Sequence, residues 1–195
     1  MDKPTKPAFL PYGRQTIEAD DIEAVSAALQ ADFLTTGPTV AEFDRAFAAV
    51  VGAAFAVSCN SGTAALHLAA MARGLGPGDA AVVPSVTFLA TANAVRYVGA
   101  EVIFADVDPE TGLLRTEDLS DAMARAGNLK LKAALPVHLN GQAADMSALA
   151  ALADPADIML IEDACHALGA AGVGACARSA MACFSTHPVK GIAMG

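Results

Sequence analysis

The stretch Phe184-Ser185-Thr186-His187-Pro188-Val189-Lys190, read with Ile161-Glu162-Asp163-Ala164-Cys165-His166 upstream of it, decides the fold. Each is an apolar run that breaks into a polar turn, and the two lie one strand-and-connection step apart. A lone lysine beside a His-Pro pair, after such a run and with Pro188 restricting the turn, reads as a chemical handle rather than a solvated charge. An amine there can form a Schiff base with an aldehyde cofactor, and an aspartate ending a buried strand can hold a ring nitrogen protonated.

Outward from these turns the chain alternates apolar runs with helical spacing. Strands are expected at 54–58, 80–83, 101–104, 132–137, 158–161 and 181–184. Helices are expected at 63–73, 88–98, 117–126 and 146–153, preceded by two more near 20–31 and 40–51. Continuously apolar strands separated by helices predict an α/β fold, a mainly parallel sheet with helices on both faces. Ligands of such sheets sit at the carboxyl ends of the strands. Polar clusters fall there, at 60–63, 85–88, 106–108, 138–141, 163–166 and 185–190. The first of them, Asn60-Ser61-Gly62-Thr63, opens a helix, so its free N–H groups and the helix dipole favour an anion. A plain helix cap by Ser61 or Thr63 is the alternative.

A length of 195 residues, 54% hydrophobic and 17% charged, predicts one well-buried domain. The net charge of −9 repels nucleic acid and anionic membranes, so any phosphate has to be held by local donors. Cys59, Cys165, Cys176 and Cys183 show no C-x-x-C spacing and read as reduced thiols of a cytoplasmic protein. The first residues do not read as a signal peptide, and no apolar run reaches the ~20 residues that span a bilayer. No G-x-G-x-x-G follows the first expected strand, which leaves a dinucleotide-dependent α/β oxidoreductase as a less favoured alternative; Gly169, Gly172 and Gly174 read as a flexible turn. P-loop and nucleophile-elbow motifs are missing. His67, His138, His166 and His187 lack metal-ligand spacing, and no metal is expected.

The ordered segments S-G-T-A-A-L-H-L (61–68), P-S-V-T-F-L-A-T-A-N-A (84–94), F-A-D-V-D (104–108), P-V-H-L-N-G (136–141), I-E-D-A-C-H-A-L-G (161–169) and F-S-T-H-P-V-K (184–190) resemble the DegT/StrS family of sugar aminotransferases. The resemblance implies a pyridoxal 5'-phosphate (PLP) transferase of fold type I, the aspartate aminotransferase-like fold. It implies Lys190 as the catalytic lysine that binds the cofactor and shuttles a proton, and Asp163 as the partner of the ring nitrogen. Phe88 and Cys165 would lie on the two ring faces with His166 near the ring edge, while Gly62, Thr63 and Ser185 would hold the phosphate. The segments at 10–15, 32–38 and 181–195 further resemble the branch that makes UDP-4-amino-4,6-dideoxy-N-acetyl-β-L-altrosamine in pseudaminic acid biosynthesis. The implied partners are a UDP-linked 4-keto-6-deoxy sugar, aminated at C4, an amino-acid donor such as glutamate, and a second subunit of a homodimer.

Family chains continue past the lysine into a small C-terminal domain. The expected organisation is therefore an N-terminal arm at 1–15 and a partial, truncated PLP-binding large domain at 16–195. An inactive fragment of such an enzyme is the alternative function. Thr186 replaces a more usual aromatic residue, Ala180 a common aspartate, and 169–176 looks shortened.

Overall fold

Runs of alanine, valine and isoleucine, small or β-branched residues that suit a strand buried on both faces, form the sheet. The computed structural model describes residues 15–194, so all of the expected arm except Gln15 lies outside the described residues. Five strands, β1 (Asp79–Pro84), β2 (Glu101–Ala105), β3 (Lys130–Ala134), β4 (Met159–Asp163) and β5 (Met181–Cys183), pair in parallel throughout. Their order is β2-β1-β3-β4-β5. From β1 the chain steps outward to β2 and then returns to lay β3 on the other side of β1. The switch point therefore lies between β1 and β3, where an open parallel sheet leaves a crevice at its carboxyl edge.

Helices cover both faces. Helices α1 (Ala19–Leu29) and α2 (Pro38–Val51) precede the sheet, and α3 (Gly62–Ala72), α4 (Leu89–Tyr97), α5 (Thr116–Ala124) and α6 (Met146–Ala153) connect with it. Successive strand residues point to opposite faces, and the two cores divide accordingly. Ala81, Val83, Ala133, Leu135, Ile161 and Cys183 pack with Leu66, Ala69 and Ala70 of α3 and Ala94 and Val95 of α4. On the other face Val82, Ala134 and Leu160 pack with Leu119 and Ala122 of α5 and Leu149, Ala150 and Ala153 of α6. Alanine at so many contact positions lets the helices lie close to the sheet. A Leu135→Ala change in this packing is worth about 2–5 kcal/mol.

Two expectations need correction. The segment at 54–58 forms no strand: it is irregular, with a bend at Ala54, and mostly exposed, with Phe55 88% and Val57 85% accessible. A strand needs a neighbour to take its backbone hydrogen bonds, and none of the described strands pairs with it. The glycine turn is packed at one of its three positions, Gly174, while Gly169 and Gly172 are exposed. Gly174 is buried at φ +83°, and a Cβ there would collide with the Phe184 ring. Its N–H donates to Glu162 Oε2 at 3.1 Å.

Candidate active site

The N-terminus of α3 is built by Ser61, whose hydroxyl accepts from the Ala64 N–H at 3.1 Å. The Ser61 carbonyl takes the Ala65 N–H at 3.0 Å. That leaves the Gly62 and Thr63 N–H groups without a protein acceptor among the described residues, pointing out of the positive end of the helix. Gly62 is the point where α3 meets the strand ends. A Cβ on it would lie 3.0 Å from Ser185 Cβ, 3.1 Å from Cys165 Sγ and 3.4 Å from the Phe184 carbonyl. Gly62, Ser185 and Cys165, far apart in sequence, thus come together at the carboxyl ends of β4 and β5.

Asp163 is the last residue of β4 and is buried, only 4% accessible. Its backbone is fixed on both sides, its N–H donating to the Pro136 carbonyl at 2.8 Å and its carbonyl accepting from the His138 N–H at 3.0 Å. The carboxylate accepts from the Cys165 N–H at 3.2 Å and from the Thr91 hydroxyl at 2.6 Å. No cation pairs with it among the described residues. A buried carboxylate is costly unless a positive charge or several donors compensate it, so this one is suited to a cationic group arriving from outside the chain.

Lys190 lies in the turn after β5, held by its N–H donating to the His187 carbonyl at 2.8 Å, and its side chain is half-buried. Its ammonium has no protein partner among the described residues, yet its charge reaches Cys165 and His166. Burial, followed by the neighbouring Asp163, pushes the Cys165 thiol far up, so the thiol stays neutral. Burial and then the Lys190 charge push His166 down, with Asp163 opposing, which favours the uncharged ring. His166 Nδ1 accepts from the Asn140 N–H at 3.4 Å. Phe88 closes the arrangement. It precedes α4 as the N-cap residue and is 72% exposed, and its carbonyl accepts from Thr91, the residue bonded to Asp163.

The residues present suit a PLP-like group. Two open N–H groups, the Thr63 hydroxyl and the Ser185 hydroxyl fit a phosphate, the unpaired Asp163 fits a protonated ring nitrogen, and Lys190 supplies an amine. Three participants were not picked out from the sequence as site residues. Thr91 is an ordinary helix residue in sequence, and its reach to Asp163 spans a fold-level separation no local pattern signals. Glu162 and His138 form a buried pair at 2.9 Å behind Asp163. The polar cluster 138–141 was expected to face a ligand, but His138 itself is fully buried in this pair.

Two open clefts lie elsewhere. One of about 440 Å³ at the amino end of β4 carries Arg73 and Arg178 beside Asp154 and Asp157, so its charges balance.

Comparison with known proteins follows the same lines. The profile of the DegT/DnrJ/EryC1/StrS aminotransferase family matches residues 15–195. The spore coat polysaccharide biosynthesis protein SpsC of Bacillus subtilis strain 168 is 41% identical over 160 residues, 82% of this chain and 40% of SpsC. Among solved structures, the PMP form of the sugar aminotransferase Spr1654 of Streptococcus pneumoniae superposes with a TM-score of 0.85 at 26% identity, covering 94% of this chain and 50% of that one. DesV of S. venezuelae gives a TM-score of 0.83 at 33% identity, over 91% and 47%. The chain spans half or less of the length of these relatives.

Proposed function

The chain belongs to the DegT/DnrJ/EryC1/StrS aminotransferase family, and from that premise we propose that it carries the cofactor half of a PLP-dependent transfer of an amino group to a sugar. Its parallel sheet between two helical layers is the fold type I architecture of its structural neighbours. The observation that carries the reading is Asp163, a buried carboxylate given donors but no cation, at the same strand ends as the open N-terminus of α3 and the Lys190 turn.

When bound, PLP supplies an aldehyde and an electron-poor ring that accepts the electron pair released at the reacting carbon. Lys190 Nζ would hold the cofactor through its aldehyde and would carry the proton between the substrate carbon and the cofactor carbon. Asp163 keeps the ring nitrogen protonated, which maintains the ring's pull on electrons. The Gly62 and Thr63 N–H groups, with the Thr63 and Ser185 hydroxyls, bind the phosphate. Phe88 and the neutral Cys165 thiol would flank the ring and limit water at its faces, with His166 near its edge.

The finer reading has an amino-acid donor, glutamate, and a UDP-linked 4-keto-6-deoxy sugar aminated at C4, as in pseudaminic acid-type biosynthesis. The sequence at 10–15, 32–38 and 181–195 supports it. Residues 16–195 are the PLP-binding large-domain portion of that enzyme, acting in the cytoplasm as a homodimer.

Incubation of the chain with PLP, followed by borohydride reduction and peptide mass analysis, tests the proposal. A pyridoxyl mass on Lys190, lost in Lys190→Ala, is expected. Folded protein that takes up no pyridoxyl group, or takes it equally on other lysines, would overturn it.

A further inference from the structure

Thr91 lies in the first turn of α4, fully buried, and its hydroxyl has three oxygen neighbours: Asp163 Oδ2 at 2.6 Å, Thr87 Oγ1 at 2.7 Å and the Phe88 carbonyl at 3.1 Å. A hydroxyl has a single proton to give. An ionised carboxylate can only accept, so the shortest contact, to Asp163, takes the Thr91 proton. Thr91 Oγ1 then accepts the proton of Thr87. The Phe88 carbonyl is already served by the Thr91 N–H at 3.1 Å. A directed chain results, Thr87 to Thr91 to Asp163, ending in a charge-assisted hydrogen bond.

Two further features make this more than packing. Phe88 precedes the helix as N-cap but has no oxygen to cap with, so Thr91 is the polar side chain of this first turn, and it is directed at the carboxylate. The same residue bonds the backbone of Phe88 and the side chain of Asp163. It therefore fixes, relative to each other, the residue on the ring face and the residue at the ring nitrogen. A β-branched side chain with few rotamers suits that task.

Building on the PLP reading above, we propose that Thr91 is a positioning residue: through the Thr87–Thr91–Asp163 hydroxyl chain it holds the Asp163 carboxylate aimed at the cofactor ring nitrogen, and so keeps that nitrogen protonated.

The test compares wild type, Thr91→Val, Thr91→Ser and Thr87→Val, each loaded with PLP labelled with nitrogen-15 in the ring. Valine keeps the shape of threonine and removes the hydroxyl. PLP affinity should fall about tenfold or more in Thr91→Val, the scale of a hydrogen bond to a charged group. Its ring-nitrogen resonance should move from the protonated toward the unprotonated range. Thr91→Ser should restore both, and Thr87→Val should show the same changes at about threefold in affinity. A merely structural role would lower thermal stability and leave the nitrogen resonance unmoved, which would overturn the proposal, as would unchanged affinity and resonance in Thr91→Val. If Thr91→Val fails to fold, an unmoved resonance and unchanged affinity in Thr87→Val would overturn the proposal. Wild-type protein that captures no PLP would instead defeat the reading on which the proposal rests.

Discussion

Gly62 shows how much a single hydrogen atom in place of a methyl group decides. The three atoms that a Cβ would approach belong to different strand ends and include a backbone carbonyl, so nothing flexible is available to give way. Gly62→Ala should push the start of α3 away from β4 and β5, costing about 1–3 kcal/mol as an overpacked site. The two open N–H groups at the helix start would be displaced with it. Thermal melting and PLP titration should both respond. Gly76→Ala, where the closest atom to a new Cβ is 3.9 Å away, should change stability by no more than ~0.5 kcal/mol. Gly62, Asp163 and Lys190 stand out in the sequence because each breaks an apolar run with a residue type that has a specific chemical use. Thr91 was not legible, because a threonine in a helix costs little and says nothing about what its hydroxyl meets. Glu162 and Asp163 illustrate the same limit: adjacent strand residues point to opposite faces, but which carboxylate reaches a site and which is buried behind it depends on partners the sequence does not place.

Between residue and fold stand the connections that hold the end of β4. The Glu162 carboxylate receives the Gly174 N–H, the Ser179 hydroxyl and His138 Nε2. His138 Nδ1 accepts the Ala144 N–H at 3.0 Å, so the ring proton sits on Nε2 and is donated to Glu162. One buried carboxylate thereby ties the 138–144 loop and the 174–179 turn to the strand that carries Asp163. Burial pushes the Glu162 carboxyl up, but the bonds from His138, Ser179 and Gly174 outweigh it, leaving it below the usual 4.5. A group whose folded value is depressed stabilises the fold fully above its unfolded value and loses that contribution as pH falls through the folded value. Wild type should therefore exceed Glu162→Gln in urea-melt stability above about pH 5, by about 1–3 kcal/mol for a disturbed buried hydrogen-bond set. The difference should shrink as pH falls below 4.5. A gap that is constant across pH would show that the charge of Glu162 contributes nothing. The sequence showed the β4 run and its polar ending. It does not separate Gly174 from Gly169 and Gly172, because glycine signals permissive backbone and also space for a close approach, and only the Phe184 ring and Glu162 mark Gly174 as packed.

For the molecule as a whole, the sheet and its two cores account for the buried apolar residues, while several apolar surfaces stay uncovered in the described chain. Helix α1 buries none of its residues and exposes Ile22, Val25 and Leu29 on one stripe. The 54–58 segment is the sharper case. It is anchored at one end by the Ala53 N–H on the Ala48 carbonyl at 2.9 Å, and at the other by the Ser58 N–H on Asp44 Oδ1 at 2.9 Å. Between these anchors Phe55 and Val57 alternate with Ala54 and Ala56, with backbone groups that no described strand takes up. A short, uncharged, proline-free segment with exposed aromatic and β-branched residues offers itself to another chain. The strand expected at 54–58 from its apolar run does not form, because no described strand offers it a partner. The chain should accordingly self-associate as its concentration rises, seen as growing light scattering at constant temperature. The double change Phe55→Ser and Val57→Thr should suppress that association. Because both side chains stand almost wholly in solvent, it should shift folding stability by no more than ~0.5 kcal/mol. A Phe55→Ser, Val57→Thr protein that scatters as strongly as wild type would move the cause of association away from this segment, to surfaces such as the α1 stripe.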